Sequence, residues 1–332
     1  MSSKILIAGG YGLVGGTIAR HIRKIKEDVE IILAGRNPKK GENLANELGN
    51  ARVVSLDLND LQTVKELDVE QVDLIVSAVQ DPRDLLIDLA IDNSIAHIGI
   101  TKLADDISPI ALKALHSPPK RPIVLLGHNE AGITTLVTSK ASQEFASIDT
   151  IEIATVYDDL DPVGPMTAGD LESEELTLRS LIRKEGKWLW VNAQQHTRKM
   201  NILGKIVEGM PMGLLDIPSL GAITQANNIR WDFVQGESVG TLAGKNASHE
   251  VYIDIEGTLK SGERAKHRTV ISDSKGQAHL TALGVLMCIE RVLGFDGQPF
   301  LQGGLQIPET LLSADQAFKR LQDFGIQIYQ QD

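Results

Sequence analysis

The chain has 332 residues, with 33 Lys and Arg against 44 Asp and Glu, a formal net charge of −11. Its 42% hydrophobic and 23% charged residues are those of a folded soluble protein, and the acidic balance excludes broad nucleic-acid binding, which needs a basic surface to release counterions. The single cysteine, Cys288, excludes an intrachain disulfide framework, and no apolar run approaches the ~18 residues of a membrane span, so a cytoplasmic protein with no membrane partner is expected.

In chain order, Lys4–Ala8 is an apolar run closed by glycines, the pattern of a buried strand. Leu13–Ile25 spaces its apolar residues by three and four and predicts a helix. Val29–Ala34 predicts a second strand, and Asn37-Pro38 starts a helix over Lys39–Leu48. Alternation continues with strands at Arg52–Leu58, Val72–Val79, Ala96–Ile100 and Ile123–Leu126. Helices are expected at Leu61–Leu67, Asp84–Asn93 and Ile107–His116. Strands and helices in this order predict an α/β Rossmann domain, a doubly wound parallel sheet, over residues 1–130.

The pattern then changes. A helix is expected over Ala131–Phe145, a half-solvated strand over Asp149–Tyr157 and a helix over Leu171–Lys184. Trp188–Asn228 shows no clear period. Ile229–Val234, Glu250–Leu259 and Lys266–Asp273 predict strands, the last two as a hairpin, and Ala278–Leu293 and Ala314–Phe324 predict helices. Residues 131–280 are therefore expected to form a second α+β domain with a mainly antiparallel sheet, serving substrate binding and homodimer contacts. Residues 281–332 are expected to pack back on the Rossmann domain as a helical segment.

Gly10-Tyr11-Gly12-Leu13-Val14-Gly15 matches GxGxxG between the first strand and the first helix, where glycines admit a pyrophosphate to the helix N-terminus. At the end of the second strand an NAD enzyme usually carries an acid for the ribose 2′-hydroxyl. Here Gly35-Arg36-Asn37 stands in its place, with no acidic residue between Glu30 and Glu42. A guanidinium can fork onto a 2′-phosphate, so NADP is expected rather than NAD, with Lys39 and Lys40 adding charge. Asp57, Ser77, Ala78, Val79 and Thr101 end later strands and are further candidates to border the cofactor, although Asp57 is equally readable as a turn cap.

Hydride transfer needs no protein nucleophile, only orientation and a proton donor or acceptor. His128, Glu130 and Lys102 lie just after the expected sheet ends and are the candidates for that role, each with a plain alternative as helix cap, first-turn acid or solvated lysine. The scattered histidines lack metal-ligand spacing. No tyrosine has lysine four residues later, as short-chain dehydrogenases require, and Cys288 lies within an apolar helix rather than at a nucleophile's position.

GGYGLVGG at Gly9–Gly16, LAGR at Leu33–Arg36, VDLIVSAV at Val72–Val79, GHNEAGITTL at Gly127–Leu136 and the terminal PET…LQDFGIQI together resemble the saccharopine dehydrogenase-like family of NAD(P)-dependent oxidoreductases. The resemblance implies hydride transfer to or from an imine, secondary amine or carbonyl of a small amino-acid-like substrate. It departs where the family often has an acidic-Pro-Gly turn and this chain has Asn129-Glu130-Ala131-Gly132. A protein that binds NADP as a redox sensor without turnover is the alternative.

Overall fold

The computed structural model describes residues 2–100, 104–164, 179–299 and 301–331. The chain divides into two compact units, Met1–Gly127 with Thr281–Leu312, and His128–Leu280 with Ser313–Asp332.

The first unit is built on a parallel sheet. Its strands are β1 (Lys4–Ala8), β2 (Glu30–Gly35), β3 (Ala51–Ser55), β4 (Leu74–Ser77), β5 (Ala96–Gly99) and β6 (Pro122–Leu125). The sheet order is β3-β2-β1-β4-β5-β6, followed by a late strand β15 (Gly304–Gln306) beside β6. All its pairings are parallel, with Ile5 opposite both Ile31 and Leu74, which places the strand ends after Ala8, Gly35 and Ser77 along one edge. This is the Rossmann order, reversing direction between β1 and β4. Helix α1 (Leu13–Ile25) buries Gly15, Ile18, Ala19 and Ile22, a stripe at the helical period. Four more helices follow between the strands: α2 (Glu42–Leu48), α3 (Leu61–Lys65), α4 (Leu85–Asp92) and α5 (Ile107–His116).

Leu6, Ile32, Ile75, Leu86, Ile110 and Ile123 belong to one buried cluster. Ile32 is fully buried, and Ile32→Ala should lower unfolding free energy by about 2–5 kcal/mol, read as a lower denaturant midpoint. Cys288 is also fully buried, and burial pushes its thiol pKa up to about 12, so it is an inert core residue as expected. The third strand ends earlier than its apolar run implies. Asp57 N–H donates to Thr63 Oγ1 and Asn59 N–H to Asp57 Oδ1, which turns the chain away from the sheet.

The second unit is α+β with a nine-stranded sheet of mainly antiparallel pairing. Its central strands are β7 (Phe145–Tyr157), paired in parallel with β12 (Asn228–Gln235), and the hairpin β13 (His249–Leu259) and β14 (Arg264–Asp273). Outer strands are β10 (Arg198–Ile202), β11 (Lys205–Pro211) and β16 (Gln327–Gln331). The hairpin β8 (Ser180–Lys184) and β9 (Lys187–Val191) joins through β12.

Three expectations are corrected here. The helix expected over Ala131–Phe145 runs only as α6 (Ile133–Ser142), because Glu130, Ala131 and Gly132 have φ of 49°, 51° and 95° and cannot join a right-handed helix. The helix expected over Leu171–Lys184 is not continuous: Ser180–Lys184 is strand β8, while residues 165–178 lie outside the described residues. The segment 281–332 does not group as one piece, nor is it purely helical. Thr281–Leu312 belongs to the first unit, but Ser313–Asp332 belongs to the second, where β16 pairs with β14 from Arg268–Gln331 to Ser272–Gln327.

Candidate functional site

The glycine loop follows directly from β1. Gly9 and Gly10 N–H groups donate to Ala34 O at 2.8 and 3.3 Å, and Gly12 N–H to Gly9 O at 2.9 Å, closing a tight turn before α1. A Cβ on Gly10 would stand 2.7 Å from Ile7 O, and one on Gly15 would run into the Gly9 carbonyl. Gly12 and Leu13 are exposed, Val14 is partly so, and Gly15 is buried. A Cβ at Gly12 would meet only Gly9 O, at 3.2 Å. The first and third glycines thus pack the loop, while the second leaves bare backbone toward solvent at the start of α1. α1 has no acidic residue in its first turn, so its positive end is uncompensated. This cradle fits a dinucleotide pyrophosphate.

Arg36 follows β2 and is exposed, with no ion pair among the described residues. Lys39 and Lys40 are also exposed, and Asn37 makes no side-chain cap bond to the turn that follows. Tyr11 packs against this strand end. Its hydroxyl accepts the Asn37 N–H at 2.8 Å, and a Cβ on Gly41 would lie 2.6 Å from Tyr11 Cδ1. Ser77 is buried at the end of β4, with Oγ donating to Val79 O at 3.3 Å, and Ala78 and Val79 are partly exposed. Asp57 serves as the turn cap described above. Thr101 and Lys102 lie outside the described residues.

Two of the sequence-derived proton carriers are buried in the second unit. His128 Nε2 lies 2.9 Å from Ser219 Oγ, and burial pushes its pKa down to about 3, so the ring is neutral near pH 7. Asn129 N–H donates to Asp216 Oδ2 at 2.6 Å, and Thr135 Oγ1 donates to Asp216 Oδ1 at 2.7 Å. Glu130 Oε1 bonds His249 Nε2 at 2.7 Å, and Asp161 Oδ2 stands 3.8 Å from His249 Nδ1. Burial alone would discharge His249. The carboxylates of Glu130, Asp161 and Glu250 outweigh it and hold the imidazole pKa above its ordinary value. Burial also raises Asp161, an effect only partly offset by the Gln277 N–H that donates to it.

The Glu130–His249 pair secures a strained turn. Two adjacent non-glycine residues in the left-handed region cost about 1–2 kcal/mol each. They persist because bonds to Asp216 on one side and His249 on the other fix the segment. In the sequence His249 is only one of the scattered histidines, and nothing singles out Asp161 or Asp216: Glu130 and His249 are 119 positions apart and share no motif. Among the described residues no group of three or more His, Cys, Asp or Glu is placed to hold a metal, and no helix is long and apolar enough to cross a membrane.

Residues 5–107 match the TrkA-N domain family. No curated protein sequence matches the chain. Among solved structures it resembles apo saccharopine dehydrogenase (L-Glu forming) from Saccharomyces cerevisiae, with a TM-score of 0.69 and 12% identity over 99% of both chains. GenD2 from gentamicin A biosynthesis, in complex with NAD, matches with a TM-score of 0.51 and 11% identity over 100% of this chain and 97% of that one. The scyllo-inositol dehydrogenase of Lactobacillus casei, with bound NAD(H) and scyllo-inositol, has a TM-score of 0.51 and 12% identity over 99% of both chains. The chain is saccharopine dehydrogenase-like in fold along its whole length.

Proposed function

We propose that the chain is an NADP-dependent oxidoreductase that moves a hydride to or from an imine, secondary amine or carbonyl of a small amino-acid-like substrate. The observation that carries this reading is the glycine cradle after β1 together with an exposed Arg36 after β2 that has no ion pair among the described residues, where an NAD enzyme would carry an acid. The likeness in fold to two dehydrogenases and to the NAD complex of GenD2 supports it; two of these three structures hold NAD, so the choice of phosphate rests on Arg36.

The cofactor supplies the hydride chemistry when bound. Gly12 at the start of α1 would receive the pyrophosphate in the loop that Gly10 and Gly15 shape, Arg36 would take the 2′-phosphate, and Ser77, Ala78 and Val79 would border the cofactor beyond β4. For each hydride delivered to an imine carbon, one proton must reach the nitrogen. His128 is held neutral and Glu130 is committed to His249, which leaves Lys102 as the sequence-derived donor. Lys102→Met should abolish NADPH-dependent turnover while leaving NADPH affinity within about twofold, since a proton donor contributes to rate rather than cofactor binding.

The broader test measures NADPH oxidation over a panel of 2-oxo acids with amines. Turnover with any pair supports the enzyme. Tight NADPH binding without turnover across the panel supports the redox-sensor alternative instead. We also assign the protein to the cytoplasm and to a homodimer through the second unit. Strand β9 pairs only with β8 among the described residues, and it exposes Trp188, Leu189 and Trp190, a strand edge and apolar surface that a second copy would cover. A monomer by sedimentation at micromolar concentration would count against the dimer.

A further inference from the structure

We infer that Tyr11 is the positioning residue for Arg36, holding the end of β2 in the shape that presents the guanidinium to a 2′-phosphate. The inference rests on the NADP reading above. Tyr11 occupies the first variable position of the glycine loop, yet it is committed to the strand end rather than left open to a ligand. Its ring lies against the backbone at Gly35 and Gly41: a Cβ on Gly35 would overlap the Tyr11 hydroxyl, and one on Gly41 would lie 2.6 Å from Cδ1 and 3.0 Å from Val53 Cγ1. Neither glycine has a positive φ, so what each position requires is space for this ring rather than unusual backbone geometry.

The phenol oxygen accepts the Asn37 N–H at 2.8 Å. Arg36 is therefore flanked on one side by a residue packed under the ring and on the other by a residue bonded to its hydroxyl. The Arg36 side chain is exposed and has no ion pair among the described residues, so what Tyr11 fixes is the backbone from which the guanidinium reaches. Through Tyr11 the pyrophosphate loop and the phosphate-selecting strand end become one packed piece, and holding a site in its binding geometry before the ligand arrives lowers the entropy lost on binding. A neighbouring 2′-hydroxyl, which makes no demand on the guanidinium, gains nothing from that order.

The test is equilibrium binding of NADPH and NADH to the wild type, Tyr11→Phe, Arg36→Ala and the double variant, with thermal midpoints measured alongside. Tyr11→Phe keeps the ring and removes the bond to Asn37. It should raise the NADPH Kd about three- to tenfold, the worth of one hydrogen bond, and leave the NADH Kd within about twofold. In the Arg36→Ala background the same change should have no further effect on NADPH. Gly41→Ala, which presses on the ring while the hydroxyl remains, should give the same selective loss. An equal loss for both cofactors in Tyr11→Phe, or an additive loss in the double variant, overturns the positioning role while leaving the phosphate reading intact. If Arg36→Ala itself fails to discriminate between the cofactors, the phosphate reading falls and this role falls with it.

Discussion

Arg36→Ala is expected to weaken NADPH binding by roughly 10- to 150-fold, the range for charge-assisted hydrogen bonds of about 1.5–3 kcal/mol, while changing NADH binding by about twofold or less. The argument is local. Arg36 is exposed after β2 with no ion pair among the described residues, and no acidic residue follows it in the sequence until Glu42. Lys39 and Lys40 stand in the next turn and would retain part of the attraction, which is why the loss is bounded rather than complete. Arg36→Lys keeps the charge but not the planar fork and should recover only part of the affinity. Direct titration of both cofactors checks each value, and equal losses for NADPH and NADH would sink the phosphate assignment.

The second large effect is on stability. His249→Ala should lower unfolding free energy by about 3–5 kcal/mol, because the buried Glu130 and Asp161 carboxylates would lose the imidazole that faces them both. The strained turn at Glu130 and Ala131 would lose its anchor in the same step. The pH dependence has two opposed limbs. His249 has its folded pKa raised by the surrounding carboxylates, so its contribution is complete below the ordinary histidine pKa and is lost as pH rises through the folded value. His128 has its folded pKa lowered to about 3 by burial, so its contribution is complete above the ordinary value of 6.5 and is lost as pH falls from there. Each group changes stability by at most about 1.4 kcal/mol per pH unit. Urea midpoints across pH should therefore pass through a maximum, and His249→Ala should flatten the alkaline limb alone. An unchanged alkaline limb in that variant would refute the role of the Glu130–His249–Asp161 cluster.

The sequence was most legible where burial is two-sided. Strands β1, β2, β4, β5 and β6 lie inside a parallel sheet and are mainly apolar, so each was placed within a few residues. Strand β9 is exposed along most of its length, and β10 and β11 mix exposed, half-buried and buried positions, so residues 188–228 offered no apolar period to read. β8 was misread because Leu178, Leu181 and Ile182 recur at three and four, a spacing that also suits a helix. β15 escaped because it has only three residues.

The candidate site divides in the same way. The cradle was legible because its glycines act through local geometry, and a spacing rule captures local geometry. The Glu130–His249 pair was not, because it joins a turn after β6 to the start of β13 and depends on tertiary packing. Tyr11 was legible as a loop residue, but its contact with Gly35 and Asn37 exists only once β1 and β2 are paired.

The most direct test of the central claim is the affinity of the wild-type protein for NADPH and NADH, measured by titration under the same ionic conditions. The account predicts binding of both through the glycine cradle, with NADPH tighter by roughly tenfold or more through Arg36. NADH binding as tight as NADPH, or binding of neither, would contradict it.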